Sequence, residues 1–372
     1  MHSARLAKLR STLGRDLKSR PSVESRPSVE LDALLVTALP NVFYLSGFTG
    51  STAALIVTDD ESYILVDPRF SIQARAECKR TQVRDYFAIS LTKAAADLIN
   101  ELKPGRIGFE CEHLTVSSYR ELRRRVDKGI RMRSTRGLVE SLRRVKDEHE
   151  IALIHEAARI ADAAFETVIP EIKPGMTEKQ VALLIDTTLR RLGADKEAFE
   201  TIAASGLNSA CPHASPTDTV LKPGQLLKLD FGARYRGYNC DITRTICLGK
   251  PTARQREVYE IVLEAQRLAI DAIAPGKSGK QIDAVARDYI ASKGFGDNFG
   301  HGLGHALGIE VHDGPGLSKT SELILEPGNV LTVEPGIYIE GWGGVRIEDD
   351  VVVTDAGVEV ITTAPKDSLT IP

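Results

Sequence analysis

LKPGQLLKLDFGARYRG, running from Leu221 to Gly237, returns as LEPGNVLTVEPGIYIEG from Leu325 to Gly341, an offset of 104 residues. The shared string is L-x-P-G-x-x-L-x-(L/V)-(D/E)-x-G-x-x-x-x-G. It reads as a Pro-Gly turn, an apolar strand, one acid and then the glycines of a hairpin. A second match lies upstream of each copy. PGMTEKQV at Pro174–Val181 recurs as PGKSGKQI at Pro275–Ile282, 101 residues on, with Glu156 matching Glu257, Ile160 matching Ile261 and Gly193 matching Gly294. Chance supplies Pro-Gly pairs but hardly the whole set. The second half of the chain therefore reads as two copies of a helix–helix–hairpin unit packed face to face.

Helical spacing supports this at Ile151–Ile169 and Glu178–Leu192, and again at Glu257–Ile273 and Lys280–Lys293. Lys228–Leu248 reads as the first hairpin, and Val330–Ile339 with Val345–Thr354 as the second. The first half has another rhythm. Apolar runs at Ala33–Thr37, Thr52–Thr58, Tyr63–Val66 and Arg106–Phe109 alternate with helical spacing at Phe70–Lys79 and Ser90–Leu102. That alternation predicts a small α/β domain, ending near the charged stretch Leu138–Glu148. The expected division is residues 1–140 and 141–372. SRPSVE at Ser19–Glu24 is repeated at once as Ser25–Glu30, and its prolines make it a loop.

Composition narrows the function classes. A chain of 372 residues is long for one core. Apolar content of 42%, charge of 27% and a formal net charge of −3 are ordinary for a soluble globular protein and give no basic surface for nucleic acid. No run is apolar enough to be a signal peptide or a membrane span. The five cysteines lack C-x-x-C spacing and read as reduced thiols of a cytoplasmic protein.

The acids carry the chemistry. Asp230 and Glu334 occupy the same place in the repeat, each closing an apolar strand, and each hairpin bears another acid on its return strand, Asp241 and Glu348. A turn at Tyr235–Arg236 sets Asp230 opposite Asp241, with Cβ atoms roughly 5 Å apart; a turn one residue later makes them diagonal at about 7 Å. A three-residue loop centred on Gly341 sets Glu334 opposite Glu348. Any one of these acids is more simply a solvated hairpin residue. Four placed equivalently in a repeat repel by a few kcal/mol per pair at contact, at about the effective dielectric of a protein surface. Two divalent cations about 3.5–4 Å apart resolve that repulsion. Strand alternation turns Asp349 to the opposite face, and Asp350 lies further along.

GHGLGHALGIEVHDGP at Gly300–Pro315 holds three of the eight histidines. His301 and His305 have zincin spacing, but no Glu lies between them, and Gly302 and Gly304 break helicity. A glycine-rich loop lets backbone approach a buried centre. His305, between small residues, is the expected fifth ligand, leaving His301 and His312 as supporting or substrate-facing groups. His213, in a loop of turn formers, is either a plain loop residue or a further site group. Arg346, two residues before Glu348, is either a surface residue or a support that orients that carboxylate or binds an anion.

LDFGARYRGYNCDITRT, GHGLGHALGIEVHDGP, LTVEPGIYI and GGVRIEDD resemble, in order and spacing, the ligand blocks of the pita-bread metallopeptidases: methionine aminopeptidases, aminopeptidase P, prolidase and their metal-free relative creatinase. The resemblance spans roughly Val145–Thr363. It implies a C-terminal pita-bread fold, an α+β architecture, with ligands Asp230, Asp241, His305, Glu334 and Glu348. It also implies that His213, His301 and His312 line the substrate side and that Arg346 supports the site. Residues 1–140 are similar to the creatinase-like N-terminal domain of the proline-directed branch.

The implied reaction is Xaa-Pro aminopeptidase chemistry: hydrolysis of the N-terminal Xaa-Pro bond by a hydroxide bridging two metals. Glu334 is the expected base, and His312 or His213 the oxyanion donor. The oxygen-rich set suits Mn²⁺, with Co²⁺, Fe²⁺ or Zn²⁺ able to substitute. Peptides with proline second are the expected substrates and a homodimer the expected assembly, both from the resemblance alone. A strict Xaa-Pro dipeptidase is the nearest alternative. A catalytically dead binding module of the same fold would ordinarily lack some of the acids. Creatinase-like chemistry would be insensitive to chelators.

Overall fold

A computed structural model describes residues 2–13, 30–367 and 369–370. The SRPSVE duplication, apart from Glu30, lies outside them. The chain divides into two compact units, Met1–Arg143 and Arg144–Pro372.

The first unit is a mixed α/β layer. Its strands are β1 (Ala33–Val36), β2 (Ala54–Thr58), β3 (Ser62–Val66), β4 (Gln82–Asp85), β5 (Arg106–Glu110) and β6 (Arg131–Thr135), in the order β4-β3-β2-β1-β5-β6. Its helices are α1 (His2–Leu13), α2 (Leu39–Ser46), α3 (Ser71–Glu77), α4 (Leu91–Leu102), α5 (Val116–Arg125) and α6 (Glu140–Arg143). The apolar runs became the inner strands, whose residues Leu34, Val36, Leu55 and Ile56 are wholly buried or nearly so. β4 and β6 were not foreseen. Both are polar strands at the sheet edges, so no apolar run marks them.

The second unit opens with α7 (Glu148–Val168) and α8 (Glu178–Arg191), followed by β7 (Lys196–Glu197) and β8 (Ile202–Ser205). The first hairpin comprises β9 (Leu226–Phe231), β10 (Ala233–Tyr235), β11 (Tyr238–Asn239) and β12 (Ile242–Cys247). Then come α9 (Ala253–Asp271), α10 (Gly279–Ser292), β13 (Val330–Val333), β14 (Gly336–Ile339), β15 (Gly343–Arg346), β16 (Asp349–Thr354) and β17 (Gly357–Val360). All four helices begin with reciprocal capping boxes, at Asp147, Thr177, Thr252 and Ser278. Such caps satisfy amide groups that the helix leaves unpaired.

The repeat persists at the level of single hydrogen bonds. Gly175 N donates to Leu221 O at 3.0 Å and Gly276 N to Leu325 O at 2.8 Å. Thr177 bridges to Val220, and Ser278 bridges to Ile324. In both copies the Pro-Gly turn is therefore a clip between the second helix and its hairpin. Beneath the second copy, Leu331, Val333, Val345 and Val351 pack with Val262 and Ala265 of α9 and Ile282 and Ala286 of α10. Each buried Val, Leu or Ile contributes about 1.5–3 kcal/mol from lost water contact. The second hairpin thus stands on a buried apolar floor.

Candidate metal centre

In the first hairpin the turn falls at Arg236–Gly237, both left-handed, with φ of 47° and 87°. It pairs Asp230 with Thr243 and Phe231 with Ile242. Asp241 is therefore diagonal to Asp230, the second of the two arrangements weighed from sequence. Between them the hairpin pinches: a methyl group at Gly232 would stand 1.9 Å from Cys240 O. In the second hairpin, Val333 pairs with Asp349 and Gly336 with Arg346. That register sets Glu334 across from Glu348, with Gly341 left-handed at the turn. Both acids lie where the ladder is interrupted, beside Pro335, which has no N–H to donate.

The two hairpins are stitched together. Glu348 N donates to Thr243 O at 3.1 Å, and Thr243 Oγ1 donates to Glu348 Oε2 at 2.6 Å. Arg346 N donates to Thr245 Oγ1 at 3.1 Å. Asp241 N donates to Asp350 Oδ2 at 2.9 Å. Asp349 faces away, buried against Arg244 and Gln266, as strand alternation requires. Among the described residues, Asp241 Oδ1, Glu348 Oε1 and Asp350 Oδ1 are buried with no hydrogen-bond partner.

His305 arrives on the glycine-rich loop, which lies along β13 like an extra strand. Thr332 N donates to His305 O at 2.9 Å, and Glu334 N donates to Leu303 O at 2.8 Å. A methyl group at Gly304 would stand 1.9 Å from Thr332 O, so only glycine permits this approach. His305 Nε2 reaches 3.5 Å from Asp241 Oδ2 and 3.7 Å from Glu334 Oε1. Donor atoms of Asp241, His305 and Glu348 all lie within 4.8 Å of one another.

Burial, followed by the neighbouring carboxylates, pushes the pKa values of Asp241 and Glu348 well above the ordinary range. Glu334 is also raised by burial, against the pull of Arg346 and His305. Isolated carboxylates would not be gathered, dehydrated and left without donors. Divalent cations are what this donor set fits. The orphaned oxygens of Asp241 and Glu348 would be among their ligands, and the charge would return these carboxylates to their ionised form.

Around the cluster opens a cavity of about 420 Å³, whose walls include His213, His312, Phe199 and Pro216. The His305 and His312 rings stand edge to face at 4.1 Å. Burial, with the neighbouring His305 and His213, lowers the pKa of His312. His213 is exposed in the cavity wall.

His301 sits behind the wall. Its Nε2 is 2.9 Å from Tyr338 Oη and its Nδ1 is 2.7 Å from Gly302 O. A carbonyl can only accept, so Nδ1 carries the proton and Nε2 accepts from the tyrosine. Burial, with Arg346 next, lowers the His301 pKa to about 4. Arg346 is buried rather than a surface residue. Its Nη2 grips Asp230 of the other hairpin, and it meets Glu348 only through Thr243, to which its Nε donates at 3.0 Å. The stitching of the hairpins, invisible in spacing, brings Asp230 across to it.

Sequence reasoning passed over Thr243, Tyr338 and Asp350. Thr243 and Tyr338 are uncharged, so no charge pattern marked them. Asp350 was set aside on strand distance, yet it orients Asp241 through the Asp241 amide.

A carboxylate-rich centre on internally repeated hairpins is the mark of a pita-bread metallohydrolase. Residues 152–355 match metallopeptidase family M24, and the chain belongs to that family. Residues 28–145 match the creatinase/prolidase N-terminal domain. An uncharacterized peptidase, YqhT, of Bacillus subtilis is 42% identical over 91% of this chain and 95% of its own. The structure of an Xaa-Pro dipeptidase from Bacillus anthracis superposes with a TM-score of 0.91 at 39% identity, covering 100% of both chains. That of an X-Pro aminopeptidase from Thermotoga maritima gives 0.87 at 38% identity, covering 92% of this chain and 98% of that one. No helix among the described residues is long and apolar enough to cross a membrane.

Proposed function

We propose that this chain hydrolyses the bond before proline at a free peptide N-terminus, as an Xaa-Pro aminopeptidase. Two divalent cations would be held by Asp230, Asp241, His305, Glu334 and Glu348. The observation that carries this reading is the set of buried carboxylate oxygens at Asp241 and Glu348 that have no donor. Bound there, such ions would polarise a carbonyl and make hydroxide available near neutral pH. The oxygen-rich set favours Mn²⁺.

The chain's own residues supply the rest. Glu334, at the edge of the carboxylate cluster, takes the proton of the attacking water and later delivers it to the leaving proline nitrogen. His312, neutral at pH 7, donates to the developing oxyanion from the cleft wall, with His213 beside it. Arg346 fixes Asp230, and His301 fixes Arg346 through Tyr338, whose hydroxyl accepts from Arg346 Nη1 at 3.0 Å. Proline preference rests on the family resemblance and on the names of the two structural neighbours. A homodimer is the proposed assembly.

His213 and Ser215 are exposed along the cleft wall, which leaves a path for a chain that continues past proline. The dipeptidase reading is favoured by the Bacillus anthracis neighbour. A panel of Xaa-Pro and Xaa-Pro-Xaa peptides, assayed after chelation and Mn²⁺ return, separates them. Metal-dependent cleavage of both lengths is expected. Cleavage of dipeptides alone supports the second reading, and chelator-insensitive turnover contradicts both.

A further inference from the structure

His213 reaches the cleft on the segment between β8 and β9, and this segment is fastened by buried charge. Glu178, the first residue of α8, is wholly buried and accepts five hydrogen bonds. Its Oε1 accepts from Ser205 N at 2.6 Å and Ser205 Oγ at 2.9 Å. Its Oε2 accepts from Asn208 Nδ2 at 2.9 Å, Thr217 N at 2.9 Å and Thr217 Oγ1 at 2.6 Å. Those donors bracket His213, two residues before it and one after. The positive end of α8 further favours a carboxylate here. From the other side, Lys228 Nζ donates to Cys211 O at 2.6 Å and Pro212 O at 3.0 Å. Arg346 Nη1 also donates to Pro212 O, at 3.1 Å. The backbone next to His213 is thus pinned from β9 and β15, and both ends of its loop from α8.

The internal repeat shows that this carboxylate is not a requirement of the scaffold. Gly279 is the counterpart of Glu178, each following a capping Ser or Thr. Their amides make equivalent bonds, Glu178 N to Thr219 O and Gly279 N to Leu323 O. A methyl group at Gly279 would stand 2.5 Å from Ser321 Oγ and 2.7 Å from Gly316 O, so there the loop itself fills the space. The second copy anchors its loop by direct packing. The first uses a buried anion, at a desolvation cost that only its full set of donors offsets.

We infer that Glu178 is a positioning residue of the active site, holding the 205–217 loop so that His213 stands at the cleft. The inference rests on the proposed function for the role of His213, and on geometry alone for the loop.

Glu178→Gln retains the shape but must turn an amide NH₂ towards donors. In the metal-loaded full chain, hydrogen exchange within residues 206–217 should accelerate about tenfold or more, with β9, β12 and the metal content unchanged. For an Xaa-Pro peptide, kcat/KM should fall about tenfold, but less than about twofold when His213→Ala is already present. A scaffold role would lower both backgrounds equally. Thr217→Val removes one donor from an exposed position, gives the same pattern in weaker form, and serves if Glu178→Gln does not fold. Unchanged exchange in the loop, or equal losses in both backgrounds, overturns the inference. A natural chain that cleaves no Xaa-Pro peptide overturns the proposed function instead, and loop exchange then decides by itself whether Glu178 is the anchor.

Discussion

Thr243 Oγ1 donates to Glu348 Oε2 at 2.6 Å and accepts from Arg346 Nε at 3.0 Å, so one hydroxyl joins the two hairpins beneath the carboxylate cluster. It uses one oxygen of Glu348 and leaves the other without a donor. Replacing Thr243 with Val keeps the volume and removes the bridge. Partners that orient a ligand typically change metal affinity by roughly 10- to 100-fold. Calorimetric titration with Mn²⁺ should show a loss of that size, and Thr243→Ser should restore most of it.

Glu348→Gln should separate stability from activity. In the ion-free chain Glu348 lies among Asp241, Glu334 and Asp230, each of which disfavours its charge. Removing that charge relieves repulsion, so the ion-free variant should melt higher than the ion-free natural chain. Its peptidase activity should fall by about a hundredfold or more, because a ligand is lost. Calorimetric melting of chelated samples, beside a turnover assay, checks both.

The pH dependence follows from the raised carboxylates. Without metal, folded Asp241 and Glu348 hold protons well above their ordinary values of 3.8 and 4.5. Over that window the folded chain binds more protons than the unfolded one, so stability falls as pH rises. Bound cations keep the same groups ionised, and the stability they add is instead lost towards acid. The gap in Tm between loaded and chelated protein should therefore widen from about pH 5 to about pH 8. A gap independent of pH would show that these acids do not titrate together.

Gly304→Ala tests the close approach that delivers His305. The new methyl group would collide with Thr332 O on β13, which is backbone and cannot swing aside. Overpacking of this kind costs about 1–3 kcal/mol or more, and here it would also push the His305 loop off its strand. Denaturant unfolding should report the loss, accompanied by weaker Mn²⁺ binding.

The duplicated hairpins were legible because duplication leaves its mark on sequence: two acids at one aligned position cannot both be incidental. The Glu334–Glu348 register followed from Gly341, and His305 from the glycines around it. The first hairpin was left between two turns on spacing alone, although the glycine at Gly237 favours the left-handed Arg236–Gly237 turn over Tyr235–Arg236. Hydrogen bonds between elements were not legible. Thr243, Tyr338 and Glu178 act through neighbours 30 to 105 residues away, at separations that only folding reveals. α5 buries only Leu122, so its apolar periodicity was too sparse to mark a helix.

The central claim is that Asp230, Asp241, His305, Glu334 and Glu348 together hold a pair of divalent cations. Elemental mass spectrometry of protein reconstituted with Mn²⁺ and freed of excess ion tests it most directly, with Glu348→Gln as the comparison. The account predicts about two ions per natural chain and one or fewer in the variant. A natural chain that retains none, or a variant that retains as many as the natural chain, would contradict it.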